Sequence, residues 1–450
     1  MYRAASYSDL ASPYFKISLS RLYTSRSAAT VSWKRTLYSV WVGEVLAIAG
    51  FGTSTPIIPF FLGDLGITDP QTVKLYTGLL QSLPAISMMV MAPIWGSLAD
   101  QYGRKPMLLR AMFGGAGILL LQGLVTDPGQ LLLLRTLQGM LTGTVGAATV
   151  LVASVSPEEE RGYSLGLLQM SIFLGNSLGP LFGGYISDAF GHRINFFATS
   201  LLLLSGGIIV SLFATDDFTA PAERKSFAKS LIPDFSPLQG EHGKALWTLL
   251  AIVAADQIAG SITAPFLPLF IKTITQDPAR IASNTGLVIA AGAISSSVAA
   301  VLIGKISYRL GYRRTLMFCM GGAALFYLPQ AFSRSVFQLL ILRLMSSFFI
   351  GGNMPSVNAL IAVNTPREKQ GSMYGLRSSV ASAGGGYRAS HRLCPGYRLR
   401  LWLGLYRHRN GAGHCGYCGA PLCVHAAAFT GLITAIQIYY SFLTLKNFPN

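Results

Sequence analysis

Charged residues make up only 12% of this 450-residue chain and apolar residues 51%, which excludes a soluble protein of this size. The formal net charge of +17 would suit a nucleic-acid binder, but the basic residues sit in short connectors between apolar runs, so nucleic acid is not expected as a partner. Runs of about 20 apolar residues, the length that crosses a hydrocarbon core, recur along the chain. In lipid such runs satisfy their backbone groups as helices.

Residues 1–36 hold six Lys or Arg and one acid, Asp9, and read as a loose cytoplasmic N-terminal tail rather than a cleaved signal. Ten spans follow, with cores at 38–62, 75–95, 107–125, 131–153, 163–186, 196–214, 246–271, 284–303, 315–332 and 338–361. A polar stretch with Pro221, Pro233 and Pro237 separates the sixth from the seventh. It is the expected cytoplasmic linker, 215–244, between a first bundle, 37–214, and a second, 245–385. Basic residues gather in loop 2–3 (Arg104, Lys105), loop 8–9 (Lys305, Arg309, Arg313, Arg314) and loop 10–11 (Arg367, Lys369), while loop 63–73 carries acids. The positive-inside rule then places the N-terminus and the linker in the cytoplasm, as in a multi-pass protein of the cell (inner) membrane.

The halves repeat. A shift of 208 aligns Gly96, Gly103, Arg135 and Thr77-Gly78 with Gly304, Gly311, Arg343 and Thr285-Gly286. A shift of 209 aligns Pro56, Pro59, Gly162 and Gly166 with Pro265, Pro268, Gly371 and Gly375. Two parallel six-span halves place a substrate site at the membrane midplane between them. The prolines are expected to kink the first span of each half.

Between spans 2 and 3 runs Gly96-Ser97-Leu98-Ala99-Asp100-Gln101-Tyr102-Gly103-Arg104-Lys105-Pro106. It resembles the loop signature of the major facilitator superfamily. The resemblance implies that Asp100 faces the start of span 11 and latches the outward-open state; a helix dipole would favour a carboxylate there. The alternative is a plain basic loop that orients the protein. The second copy keeps Gly304, Gly311 and the basic cluster with Arg313, but Tyr308 stands where Asp100 stands in the first. The latch is therefore expected on one side only.

Arg135 lies inside span 4, where a guanidinium is unfavourable by about 3 kcal/mol unless paired or hydrated. It resembles the span 4 arginine of drug–proton antiporters, implicated in proton handling; the bland alternative is a snorkelling arginine near the helix end. Gly166, Gly175, Gly179-Pro180 and Gly183-Gly184 resemble the span 5 signature of exporters, a tightly packed and bent helix that would act as pivot and seal. Ordinary small-residue packing is the other reading. Glu44 in span 1 and Asp256 in span 7 are candidate proton carriers, Glu44 being also readable as an interfacial charge. Met88, Met89, Met91 and Trp95 either line a permissive cavity or simply pack.

The resemblance covers about residues 37–385. Residues 386–450 hold seven Lys or Arg, no acid, four of the six His and four of the five Cys, and read as a shifted reading frame with one candidate span at 420–445. Cys394, Cys415, Cys418 and Cys423 include one Cys-x-x-Cys but no second spaced pair, so no metal site is expected. The expectation is an all-α polytopic membrane protein of the major facilitator fold, with two six-helix bundles whose last two spans are in question. It would be a monomer in the lipid bilayer without cofactor, and not an enzyme. The family resemblance implies a multidrug exporter, coupling protons to efflux of hydrophobic or cationic small molecules. The alternatives are a sugar or metabolite transporter, a non-functional frameshifted transporter, and a membrane metal or redox protein built on the C-terminal cysteines.

Overall fold

The computed structural model describes residues 13–54, 56–218, 231–240, 242–275 and 280–393. The candidate span 420–445 and the C-terminal cysteines lie outside the described residues. Within them the chain forms thirteen α-helices: α1 Pro13–Ser54, α2 Ile58–Asp64, α3 Pro70–Tyr102, α4 Arg104–Leu124, α5 Pro128–Leu141, α6 Thr144–Val155, α7 Arg161–Phe190, α8 His192–Phe213, α9 Gly243–Ile274, α10 Ile281–Leu310, α11 Tyr312–Tyr327, α12 Val336–Asn364 and α13 Gln370–Leu393. Among the described residues nine segments are long and apolar enough to cross a membrane. α13 continues eight residues past the point where the composition changes.

Local chemistry sets the boundaries. Asp69 caps α3, its carboxylate accepting from the Thr72 amide (2.8 Å) and hydroxyl (2.6 Å). These bonds favour the charged form and hold its pKa below the usual carboxylate range. Asp127 caps α5 and Ser335 caps α12 in the same way. Gly103 (φ +101°) and its repeat partner Gly311 (φ +85°) each turn the chain in one residue, so that α4 and α11 start directly after α3 and α10.

Three features differ from the sequence reading. α1 begins at Pro13, inside the stretch expected as a tail, and Trp33 and Leu37 are buried. The first span breaks at Pro56, ending at Ser54 and resuming at Ile58 with Pro59 in the first turn of α2, whereas Pro265 and Pro268 lie within the unbroken α9. Span 4 is two helices, α5 and α6, joined through Gly143 at φ +119°.

The core shows how the halves meet. One buried cluster runs through both bundles near the end that carries the linker, from Leu37, Leu108 and Leu151 to Leu249, Val357 and Tyr374. Toward the far end each bundle has its own cluster. Phe61, Leu119 and Phe196 belong to the first, and Ile271, Val288 and Leu339 to the second.

Candidate functional site

Glycines bring the bundles together at the linker end. A Cβ on Gly96 of α3 would collide with the Gly371 carbonyl of α13 and stand 3.0 Å from the Gly375 Cα. On the other side, a Cβ on Gly304 of α10 would collide with the Gly162 carbonyl of α7, and one on Gly166 would collide with the Ala300 carbonyl. Gly96 and Gly304, like Gly371 and Gly162, are repeat partners. The same helix crossing is thus made twice, by small residues that let backbones touch.

Asp100 ends α3 against the first turn of α13. Its Oδ1 accepts from the Gly371 amide (2.6 Å) and its Oδ2 from the Ser372 amide and hydroxyl (2.7 Å each). The amides are among the donors a helix start leaves unpaired, and an ionised acceptor strengthens each bond. At the repeated crossing Tyr308 is 45% exposed. Arg104 adds a second link between bundles, its Nη2 donating to the Arg367 carbonyl (2.6 Å). The Lys105 ammonium donates to the Ser211 and Ala214 carbonyls at the end of α8 (2.8 Å each). Arg313 stands half-buried in the first turn of α11.

Asp216, at the start of the linker, accepts from the Arg104 (2.7 Å) and Lys105 (3.0 Å) amides and so caps α4. Its signal was an acid just after span 6, with the unpaired amides of α4 directly beyond the Gly103 turn.

The span 5 glycines divide by face. Gly175, Gly179 and Gly183 pack on α1: a Cβ on Gly175 would lie 2.6 Å from the Ile48 Cβ, one on Gly179 2.6 Å from the Ala49 carbonyl, and one on Gly183 2.6 Å from the Thr53 Cα. Pro180 lies within α7 beside Gly52. Gly166 instead faces the opposite bundle, and a Cβ on Gly184 would meet nothing within 4 Å among the described residues.

The buried charges fall in two groups. In the first bundle, Arg135 donates to the Gln138 side chain (3.3 Å), which also accepts from Gln122 (3.0 Å), while the Nε and Nη2 of Arg135 have no partner among the described residues. Glu44 is fully buried, accepts from the Thr144 hydroxyl (3.3 Å), and leaves Oε1 without a partner among the described residues. The break at Gly143 separates the two, with Gln138 before it and Thr144 after it. In the second bundle, Asp256 of α9 is half-buried and feels the cation of Arg377 on α13. Arg377 is buried, its Nη2 on the Met354 sulfur (3.4 Å) and its Nε without a partner among the described residues. Among the described residues no hydrogen bond or ion pair joins Glu44, Arg135 and Asp256 to one another. Arg377 escaped the sequence reading; two residues past Gly375, it had only its position inside a span to mark it.

At the linker-end seam lies a cavity with about 410 Å³ of empty space, open solvent included. Met88, Trp95 and Gly96 of α3 line it with Gly143 and with Tyr374 and Ser378 of α13. Met89 and Met91 are not among its walls; the Met89 carbonyl accepts from the Ser379 hydroxyl (2.5 Å), another contact between bundles.

Comparison with known proteins agrees with this architecture. The family model described as Major Facilitator Superfamily matches residues 40–274 and 249–386. A multidrug resistance efflux pump homologue of Lactococcus lactis is 33% identical, aligned over 75% of this chain and 82% of its own. The multidrug resistance protein MdtG of Serratia proteamaculans is 30% identical over 79% of this chain and 85% of its own. Among solved structures, the human organic anion transporter MFSD10 superposes with a TM-score of 0.71 at 17% identity, covering 90% of this chain and 99% of its own. A bacterial homologue of ferroportin in an outward-facing state gives 0.64 at 14% identity, covering 89% of this chain and 99% of its own. A repeated glycine crossing, an acid capping the eleventh span and these relatives agree: the chain is a multi-pass membrane protein and belongs to the Major Facilitator Superfamily, as a relative of its multidrug-efflux transporters.

Proposed function

We propose that this protein exports hydrophobic or cationic small molecules from the cytoplasm in exchange for protons, by alternating access between its two bundles. The linker end faces the cytoplasm on this reading, as the basic loops indicate. The observation that carries it is the bond of Asp100 to the start of α13, with the paired glycine crossings beside it. These contacts hold the cytoplasmic end shut while the bundles keep separate cores toward the outside. Opening inward must break three hydrogen bonds to one carboxylate, so the latch biases the resting state outward.

Glu44, Arg135 and Asp256 are the groups that would couple protons. Glu44 and Asp256 are carboxyls placed in spans, where gaining or losing a proton changes which state is stable, and Arg135, which stays charged, would act through its field. The export reading draws on the span 5 glycines and on the efflux relatives.

The test is uptake of ethidium into inverted vesicles, whose cytoplasmic face is outward, with an imposed pH gradient. Transport against the ethidium gradient that collapses with a protonophore supports proton-coupled export. Ethidium movement indifferent to the gradient rejects the coupling, and no movement of ethidium or other apolar cations rejects the substrate class.

A further inference from the structure

Arg110 sits six residues into α4, about 9 Å from that helix's linker end at 1.5 Å per residue. It lines the seam cavity beside Trp95, Met88 and Met107. Its guanidinium carbon lies 3.5 Å from the Trp95 ring centroid, and the ring is held by a 2.7 Å bond from its Nε1 to the Met140 carbonyl. Its Nε reaches only a carbonyl of its own helix, that of Met107, at 3.4 Å. Among the described residues its buried Nη1 has no hydrogen-bond partner and no carboxylate forms an ion pair with it. Asp100, the acid on the adjoining stretch of α3, is committed to α13 through both its oxygens.

An unpaired cation inside a span calls for an anion or water. The cavity offers apolar walls around that cation and opens outward beyond them. We infer that it binds an anionic amphiphile, the apolar tail lying along Met88, Met107 and Trp95 and the anionic head on the Arg110 guanidinium. A free fatty acid and an anionic phospholipid share this chemistry. Because Tyr374 and Ser378 of the second bundle complete the walls, the site exists only while the linker end is closed. It does not depend on what the protein exports.

The test follows tryptophan emission of the full chain in an uncharged maltoside detergent. The probes are dibromostearate and its uncharged monoglyceride, whose brominated tails quench a tryptophan in contact. Dibromostearate is expected to act at about 10-fold lower concentration, as one charge-assisted bond would give. Trp95→Phe removes this component, Arg110→Gln makes the two probes equal, and Arg110→Lys keeps part of the preference. Equal quenching by both probes in the unaltered protein, or high-affinity quenching that survives Trp95→Phe, overturns the site. In nanodiscs, selective Trp95 quenching by dibrominated phosphatidylglycerol over phosphatidylcholine assigns a lipid occupant, and quenching by dibromostearate alone assigns a free amphiphile. Neither effect in nanodiscs also overturns it.

Discussion

Gly384 of α13 meets Gln257 of α9: a Cβ on the glycine would stand 2.6 Å from the glutamine Cβ. One repeat earlier, at a shift of 209, Gly175 meets Ile48 with the same 2.6 Å approach. The packing of the fifth span on the first therefore recurs as the eleventh on the seventh. That contact lies just before the composition changes, so at this point the second half still carries the design of the first.

Gly179→Ala is expected to destabilise the protein, because the new methyl would meet the Ala49 carbonyl and the Gly52 Cα, and backbone cannot move aside as a side chain can. Overpacking of this kind costs about 1–3 kcal/mol. Gly184→Ala, four residues from Pro180 with nothing within 4 Å, should be neutral. Melting curves in detergent compare the two, and equal melting temperatures would contradict the packing of α7 on α1.

Asp100→Asn keeps the size of the side chain but replaces one accepting oxygen with a donor. Gly371 and Ser372 present only donors to that carboxylate, so at least one bond is lost and the rest weaken. Bonds to a charged acceptor contribute about 1.5–3 kcal/mol each. The closed linker end should become less populated, read as faster labelling of a cysteine placed at Ser378 in the seam cavity. Transport should fall while the amount in the membrane is unchanged. Unaltered labelling and transport would reject the latch.

The spans were legible because an apolar run of span length is a strong signal, and Asp100 because its neighbours form a dense motif. The break in span 4 was not, since Thr142 and Gly143 sit in an apolar run and a glycine's φ leaves no trace in composition. Pro56 and Pro265 read alike, yet only the first breaks its helix; tertiary packing decides what a proline does. Arg377, Arg110 and Asp216 belong to no motif in the sequence. Their importance lies in what surrounds them in space, which a single sequence does not record.

Glu44→Gln tests the first-bundle acid. The amide oxygen can still accept from Thr144, and a neutral group is easier to bury than an ion, so the fold should be kept. If Glu44 carries the proton, export in Glu44→Gln loses its dependence on the pH gradient while substrate binding survives. A pH profile like that of the unaltered protein would assign Glu44 to structure. The same measurement on Asp256→Asn assigns the second acid.

The charges of Asp256 and Arg377 act on each other across α9 and α13, so their replacements should not add. Arg377→Gln leaves Asp256 without its cation, and Asp256→Asn leaves Arg377 with only the Met354 sulfur. Asp256 is only half-buried and among the described residues no ion pair within 4 Å joins it to Arg377, so each single replacement should cost about 1 kcal/mol. The double variant removes both charges and should recover part of the loss, with a coupling of at least about 0.5 kcal/mol. Unfolding of the four forms in detergent measures it. Strict additivity would mean that the two charges are shielded from each other, and that α9 and α13 are joined by packing alone, as at Gly384 and Gln257.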